Sequence, residues 1–165
     1  MNQSIKDCVE QYSEACFDEQ TELLRRLGKI PAPTRQEERR AEFCRDWLLA
    51  QGAEDVEIDA AKNVICPIGP REGELVVFAA HTDVVFPDLE PLPMEEKDGR
   101  LYAPGIGDDT ANLVCLLLAA KYLLQKGLQG KHGFMIVANA CEEGLGNLDG
   151  TKALFARYGD RIKAF

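Results

Sequence analysis

Six ionisable side chains fall in three short clusters of an otherwise apolar stretch of sequence: His81 and Asp83, Asp108 and Asp109, and Glu142 and Glu143. A metal-bound imidazole commonly gives its second N–H to a carboxylate, which fixes the tautomer and raises ligand basicity. An H-x-D pair such as His81 and Asp83 therefore fits a metal ligand with its supporting acid, and equally a hydrogen-bonded surface histidine. Asp108 and Asp109 fit a helix N-terminus, where an acid caps free N–H groups and meets the positive end of the dipole. Two acids exceed what one cap requires, and a carboxylate here could bridge two cations. Glu142 and Glu143 are harder to explain blandly. Adjacent acids at the end of an apolar run repel each other, and desolvation worsens the cost unless cations are near. One could ligate a metal while the other holds a proton. This donor set, rich in oxygen with one imidazole, suits zinc, cobalt or manganese. Two such metals about 4 Å apart can share a bridging hydroxide.

The elements that must position these clusters alternate between helix and strand. Ile5, Cys8, Val9, Tyr12 and Cys16, continued by Leu23, Leu24 and Leu27, predict one amphipathic helix that ends at Gly28. Thr34 with Glu37 predicts a capping box opening a second helix, buried through Phe43, Trp47, Leu48 and Leu49 and closed by Gly52. Strands are expected at Val56–Ile58, Val64–Ile68 and 75–80, the last uniformly apolar as in a sheet covered on both faces. A polar stretch with Pro87, Pro91 and Pro93 follows. Asp108 to Lys126 predicts a long helix that is apolar almost all round and hence deeply buried. A strand over Phe134–Cys141, a helix over Thr151–Tyr158 and the start of a strand at 162–165 complete the pattern. Alternation of this kind predicts an α/β fold with a mainly parallel sheet flanked by helices. In such sheets, sites form beyond the carboxyl ends of strands, which is where His81 and Glu142 fall.

The chain has 165 residues and a net charge of −9. That charge argues against nucleic acid, which demands a basic stripe, and against an anionic membrane surface. The six cysteines form no C-x-x-C pair, so buried thiols in a reducing compartment are expected rather than a disulfide framework. With neither a signal peptide nor a run of roughly 18 apolar residues, a cytoplasmic location is expected. Gly144-x-Gly146 lacks the third glycine of a dinucleotide fingerprint, and no serine sits in a G-x-S-x-G elbow.

The strings A-A-H-T-D-V-V (79–85), G-I-G-D-D-T-A (105–111) and A-C-E-E-G-L-G-N-L-D-G (140–150) resemble the co-catalytic zinc metallopeptidases. That family includes peptidase T, carboxypeptidase G, aminoacylase and succinyl-diaminopimelate desuccinylase, and the third string looks most like the peptidase T branch. The resemblance runs from about residue 17 to the last residue. It implies that His81 ligates one metal, Glu143 the second, and Asp108 bridges them. Asp83 would orient His81, and Glu142 would be the general base of a metal-activated water attacking small peptides. It also implies two divalent metals, most simply zinc with cobalt or manganese as substitutes, and a cis peptide after the bridging Asp108. Thr110, Ala111 and Asn112 depart from the Lys-Gly that many relatives carry there.

Relatives supply a further carboxylate and a further histidine later in the chain, with a lid and dimerisation domain between. Residues 1–165 are therefore expected to be the N-terminal part of a catalytic domain, truncated in its C-terminal half and inactive alone. Deacylation of N-acyl amino acids by the same chemistry is the alternative activity. A non-catalytic domain binding a metal or a partner is the alternative class. An open sheet edge and an uncovered apolar face would favour self-association, with a homodimer as one form.

Overall fold

The computed structural model describes residues 3–128 and 130–165. Helices α1 (Gln3–Ala15), α2 (Phe17–Gly28) and α3 (Glu38–Ala50) open the chain. Strands β1 (Glu57–Ile58), β2 (Val64–Ile68) and β3 (Leu75–His81) precede a hairpin of β4 (Glu95–Lys97) and β5 (Arg100–Tyr102). Then come α4 (Ala111–Lys126), β6 (Gly133–Asn139), α5 (Asp149–Tyr158) and β7 (Ile162–Ala164).

The main sheet has the order β1-β2-β6-β3-β7. The expected α/β sheet flanked by helices is present, and it is mixed. β3 runs parallel to both β6 and β7, whereas β2 runs antiparallel to β1 and β6. Alternate strand residues point to opposite faces. Val64, Cys66, Ala80, Ile136 and Ala138 pack against Leu23, Leu27, Cys44, Leu48, Leu113 and Leu117 of α2, α3 and α4. Ile65, Leu75, Val77, Met135 and Val137 face Leu154 of α5 on the other side. Truncating a fully buried leucine such as Leu113 costs about 2–5 kcal/mol, so these two layers hold the sheet.

Several elements differ from expectation. The first helix is two helices, broken at Cys16 (φ −99°, ψ 6°). No glycine or proline marks the break. Asp18 and Glu19 in the first turn of α2, and Arg25 and Arg26 in its last, suit a separate helix dipole. The side chain of Ile5, expected on the apolar face, lies outside the described residues. Gly28 is the last residue of α2 and does not adopt a left-handed cap; a Cβ there would lie 2.7 Å from Met94 Cε and 2.9 Å from Ile106 Cδ1. Helix α3 starts at Glu38 with no side-chain cap, so the Thr34–Glu37 capping box does not form. Both side chains are spent elsewhere, as described below.

Helix α4 starts at Ala111 rather than Asp108. It is also less buried than expected: Leu113, Val114, Leu117, Leu118 and Ala120 are covered, but Cys115 in mid-run is exposed. Cys8 is exposed too, while Cys16, Cys44, Cys66 and Cys141 are buried, and all six thiols are free. The β4–β5 hairpin lies at the end of the polar, proline-bearing stretch, where the sequence predicts no strand; its turn residues Asp98 and Gly99 have φ of 52° and 71°, as a two-residue hairpin requires. No helix among the described residues is long and apolar enough to cross a membrane.

Candidate metal centre

β3 and β6 lie side by side and in register, with His81 opposite Asn139. Their carboxyl ends therefore deliver His81-Thr82-Asp83 and Glu142-Glu143 to one place. Thr82 N–H and its hydroxyl both donate to the Asn139 carbonyl, at 2.7 and 3.0 Å. Asp108 arrives from a different direction, on the turn before α4. Gly105 makes that turn at φ 67°, and a Cβ there would lie 2.4 Å from Val84 Cγ1. Thr110 ties it off by donating its N–H and its hydroxyl to the Gly105 carbonyl. Asp108 (φ −133°, ψ 93°) is extended and Asp109 (φ −122°, ψ 16°) lies in the bridge region, neither of them helical, and the bond between them is cis. Neither aspartate caps α4 through its side chain.

The donor atoms converge on His81. Its Nε2 lies 3.1 Å from Asp108 Oδ1 and 3.8 Å from Glu142 Oε2. Donor atoms of His81, Glu142 and Glu143 all lie within 4.8 Å of one another. The His81 side chain is nearly buried, whereas those of Asp108 and Glu142 are 82% and 42% exposed, so the cluster opens to solvent on its acidic side. The other histidine, His132, precedes the opposite end of β6 and pairs with Glu74. Asp109 points its Oδ2 at the His81 N–H, 3.1 Å away.

Asp83 sits behind the cluster and is fully buried. Its backbone carbonyl lies 3.0 Å from His81 Nδ1, nearer than its carboxylate, whose Oδ1 is 3.6 Å away. The carboxylate holds the paired glutamates instead: Oδ1 accepts the Glu142 N–H and Oδ2 the Glu143 N–H, each at 3.0 Å. Thr34, expected as a helix cap, donates its hydroxyl to Oδ2 at 2.9 Å.

Charge in the cluster is unevenly balanced. Burial opposes protonation of His81, but hydrogen bonds to Asp83 and Asp108 and the charge of Asp109 win, holding the ring at about 9. Burial likewise opposes ionisation of Asp83, and the donors from His81, Glu142, Glu143 and Thr34 outweigh it, keeping its carboxyl below the usual range. Glu143 goes the other way: burial and then the charge of Asp108 raise it.

Sequence reading missed the buried bracing around these residues. Arg40 of α3 is fully buried, donating to the Ile30 carbonyl at 2.8 Å, the Thr82 carbonyl at 3.0 Å and the Thr110 hydroxyl at 3.1 Å. It thus joins the His81 strand end to the Asp108 turn. Asn63 joins the end of β6 to the start of α5, donating to the Gly150 carbonyl and accepting the Ala140 N–H. An arginine or asparagine in a polar stretch carries no periodic signal for such a role.

Residues 77–165 match the sequence profile of peptidase family M20/M25/M40. The chain belongs to that family. Over 80 residues it is 39% identical to a succinyl-diaminopimelate desuccinylase of Legionella pneumophila strain Lens, covering 44% of this chain and 21% of that protein. Human carnosine dipeptidase 1 shares the fold with a TM-score of 0.73 at 18% identity, over 94% of this chain and 38% of that one. The YXEP protein of Bacillus subtilis, described as a dinuclear metal binding peptidase, aligns with a TM-score of 0.63 at 22% identity, over 90% of this chain and 42% of that one. The chain spans about a fifth of the length of the desuccinylase it matches.

Proposed function

We propose that residues 1–165 are the N-terminal part of a metallopeptidase catalytic domain whose site hydrolyses peptide bonds of small peptides. The observation that carries this is the convergence of His81, Glu142 and Glu143 donor atoms within 4.8 Å, with Asp108 Oδ1 at 3.1 Å from the imidazole. The donors fit divalent metal. They are an imidazole and hard carboxylate oxygens. His81, Asp108 and Glu143 would hold two ions; zinc suits the set, with cobalt or manganese as substitutes. Bound there, metal supplies Lewis acidity to the scissile carbonyl. Glu142 Oε2 takes the proton of the attacking water and returns it to the leaving amine. Asp83 fixes His81 through its carbonyl and fixes the two glutamates through its carboxylate.

A second reading has its own support. The desuccinylase similarity favours cleavage of an N-acyl amino acid, and the same water and base would serve an acyl amide. The tests are binding and turnover. Calorimetry of the chain with zinc, cobalt and manganese should show saturable binding that His81→Ala weakens at least tenfold. No binding, or binding that ignores His81→Ala, would refute the metal site. Three ligands for two ions leave each short of the four donors zinc prefers. The 165-residue chain alone is therefore expected to bind weakly and release no amine from dipeptides. Robust hydrolysis by it would contradict that count. In a longer protein carrying this chain, faster cleavage of dipeptides than of N-succinyl amino acids supports the peptidase reading, and the reverse order the deacylase.

A further inference from the structure

Glu37 is completely buried, and it belongs to none of the donor clusters. Its Oε1 accepts the N–H of Arg35 at 2.6 Å and the N–H of Cys141 at 3.2 Å, and the Cys141 thiol donates to it at 3.3 Å. Its Oε2 lies 3.3 Å from Lys62 Nζ. Arg35, Lys62 and Cys141 share an unusual property: each has a left-handed backbone, with φ of 74°, 71° and 56°. Such conformations are sterically disfavoured for residues with a Cβ, and they persist only where the surroundings hold them. All three touch Glu37.

Cys141 immediately precedes the paired glutamates. Its left-handed turn is where the chain leaves the line of β6. The next two N–H groups, of Glu142 and Glu143, are taken by Asp83. Three consecutive N–H groups are therefore held by two buried carboxylates, and the Glu142 and Glu143 side chains reach towards His81 from that fixed backbone. We propose that Glu37 is a positioning residue: it fixes the turn at Cys141 that aims Glu142 and Glu143 at the cluster. The consequence for metal affinity rests on the metal-site reading above, whereas the effect on backbone order does not.

Removal of Glu37 leaves Lys62 with a partner, because Nζ also sits 2.8 Å from Glu38 Oε1. The groups orphaned are the Arg35 and Cys141 N–H donors, so the effect is local. Site-resolved amide exchange and zinc titration of the 165-residue chain test this. In Glu37→Ala, exchange at Cys141, Glu142 and Glu143 should quicken at least tenfold while β3 and the centre of β6 keep their protection. Zinc binding should weaken about 10–100-fold, as for other residues that support a ligand from behind. Glu37→Gln, whose amide oxygen still accepts the Cys141 N–H, should stay near the parent in both. Uniform loss of protection, or zinc affinity unchanged in a folded Glu37→Ala chain, overturns the proposal. Should the parent bind no zinc, the metal reading fails and the exchange pattern alone decides for or against Glu37. Should Glu37→Ala not fold, Glu37→Asp replaces it, since its carboxylate falls one methylene short of Cys141; selective exchange there supports the role and uniform exchange refutes it.

Discussion

Arg40 and Cys44 sit one turn apart on α3 and are both fully buried, yet one carries a charge and the other is kept from carrying one. Burial lowers Arg40 to about 10, which still leaves it protonated at neutral pH. Its guanidinium donates to two carbonyls and a hydroxyl. Arg40→Met should destabilise the fold by about 3 kcal/mol in urea titration, the cost of leaving buried acceptors unpaired. Arg40→Lys should lose nearly as much, because a point charge cannot span three acceptors. Burial pushes the Cys44 thiol up to about 12. The sign follows from which state loses its proton first. Unfolded, the thiol ionises near 8.5, so its share of stability is intact below that pH and is lost as pH rises towards 12. By pH 10 the loss is about 2 kcal/mol, and Cys44→Ala should flatten the decline of melting temperature between pH 8.5 and 10. A parallel decline in both proteins would show that Cys44 does not contribute. Residues at this scale were unevenly legible. His81, Asp108, Glu142 and Glu143 stand out because acids and imidazoles interrupt apolar runs. Thr34, Glu37 and Arg40 do not, because polar residues beside a helix start read as caps and surface.

Turns rather than helices decide where the cluster forms. The long strands and α4 were legible from their apolar runs. Their ends were not, because tertiary contacts set them: Asp108 faces the His81 ring instead of starting α4, and α2 separates from α1 without a breaker residue. Gly105 and Gly99 offer a comparison between two turns. Both have positive φ, but a Cβ at Gly99 meets open space, whereas one at Gly105 collides with Val84. Gly99→Ala should therefore cost about 1 kcal/mol in thermal melts, from backbone strain alone. Gly105→Ala should cost about 2–3 kcal/mol, since overpacking adds to strain. It should also weaken zinc binding, because Thr110 hangs from the Gly105 carbonyl and Asp108 lies between them. Equal melting temperatures for the two variants would disprove this account of the turn.

Across the molecule, one face of the sheet is incompletely covered. Phe78, in the middle of β3, is 46% exposed, and beside it Val9, Tyr12, Leu116 and Tyr122 line an apolar groove of about 350 Å³. Exposed apolar surface of this kind drives association. Light scattering should show mass rising with concentration, and Phe78→Glu should suppress it. A parent chain that stays monomeric at high concentration would exclude the effect. The register of β3 against β6 has a separate consequence, in time rather than in space. His81 and Asn139 are neighbours across one strand pair, but Glu143 is made 62 residues after His81. At roughly 5–20 residues per second, a ribosome takes about 3–12 s to cover that interval. Throughout it, His81 and, from 27 residues on, Asp108 are present without Glu142 and Glu143. On the metal-site reading proposed above, the full donor set is thus a late product of synthesis, and for the first 27 residues of the interval His81 waits without Asp108.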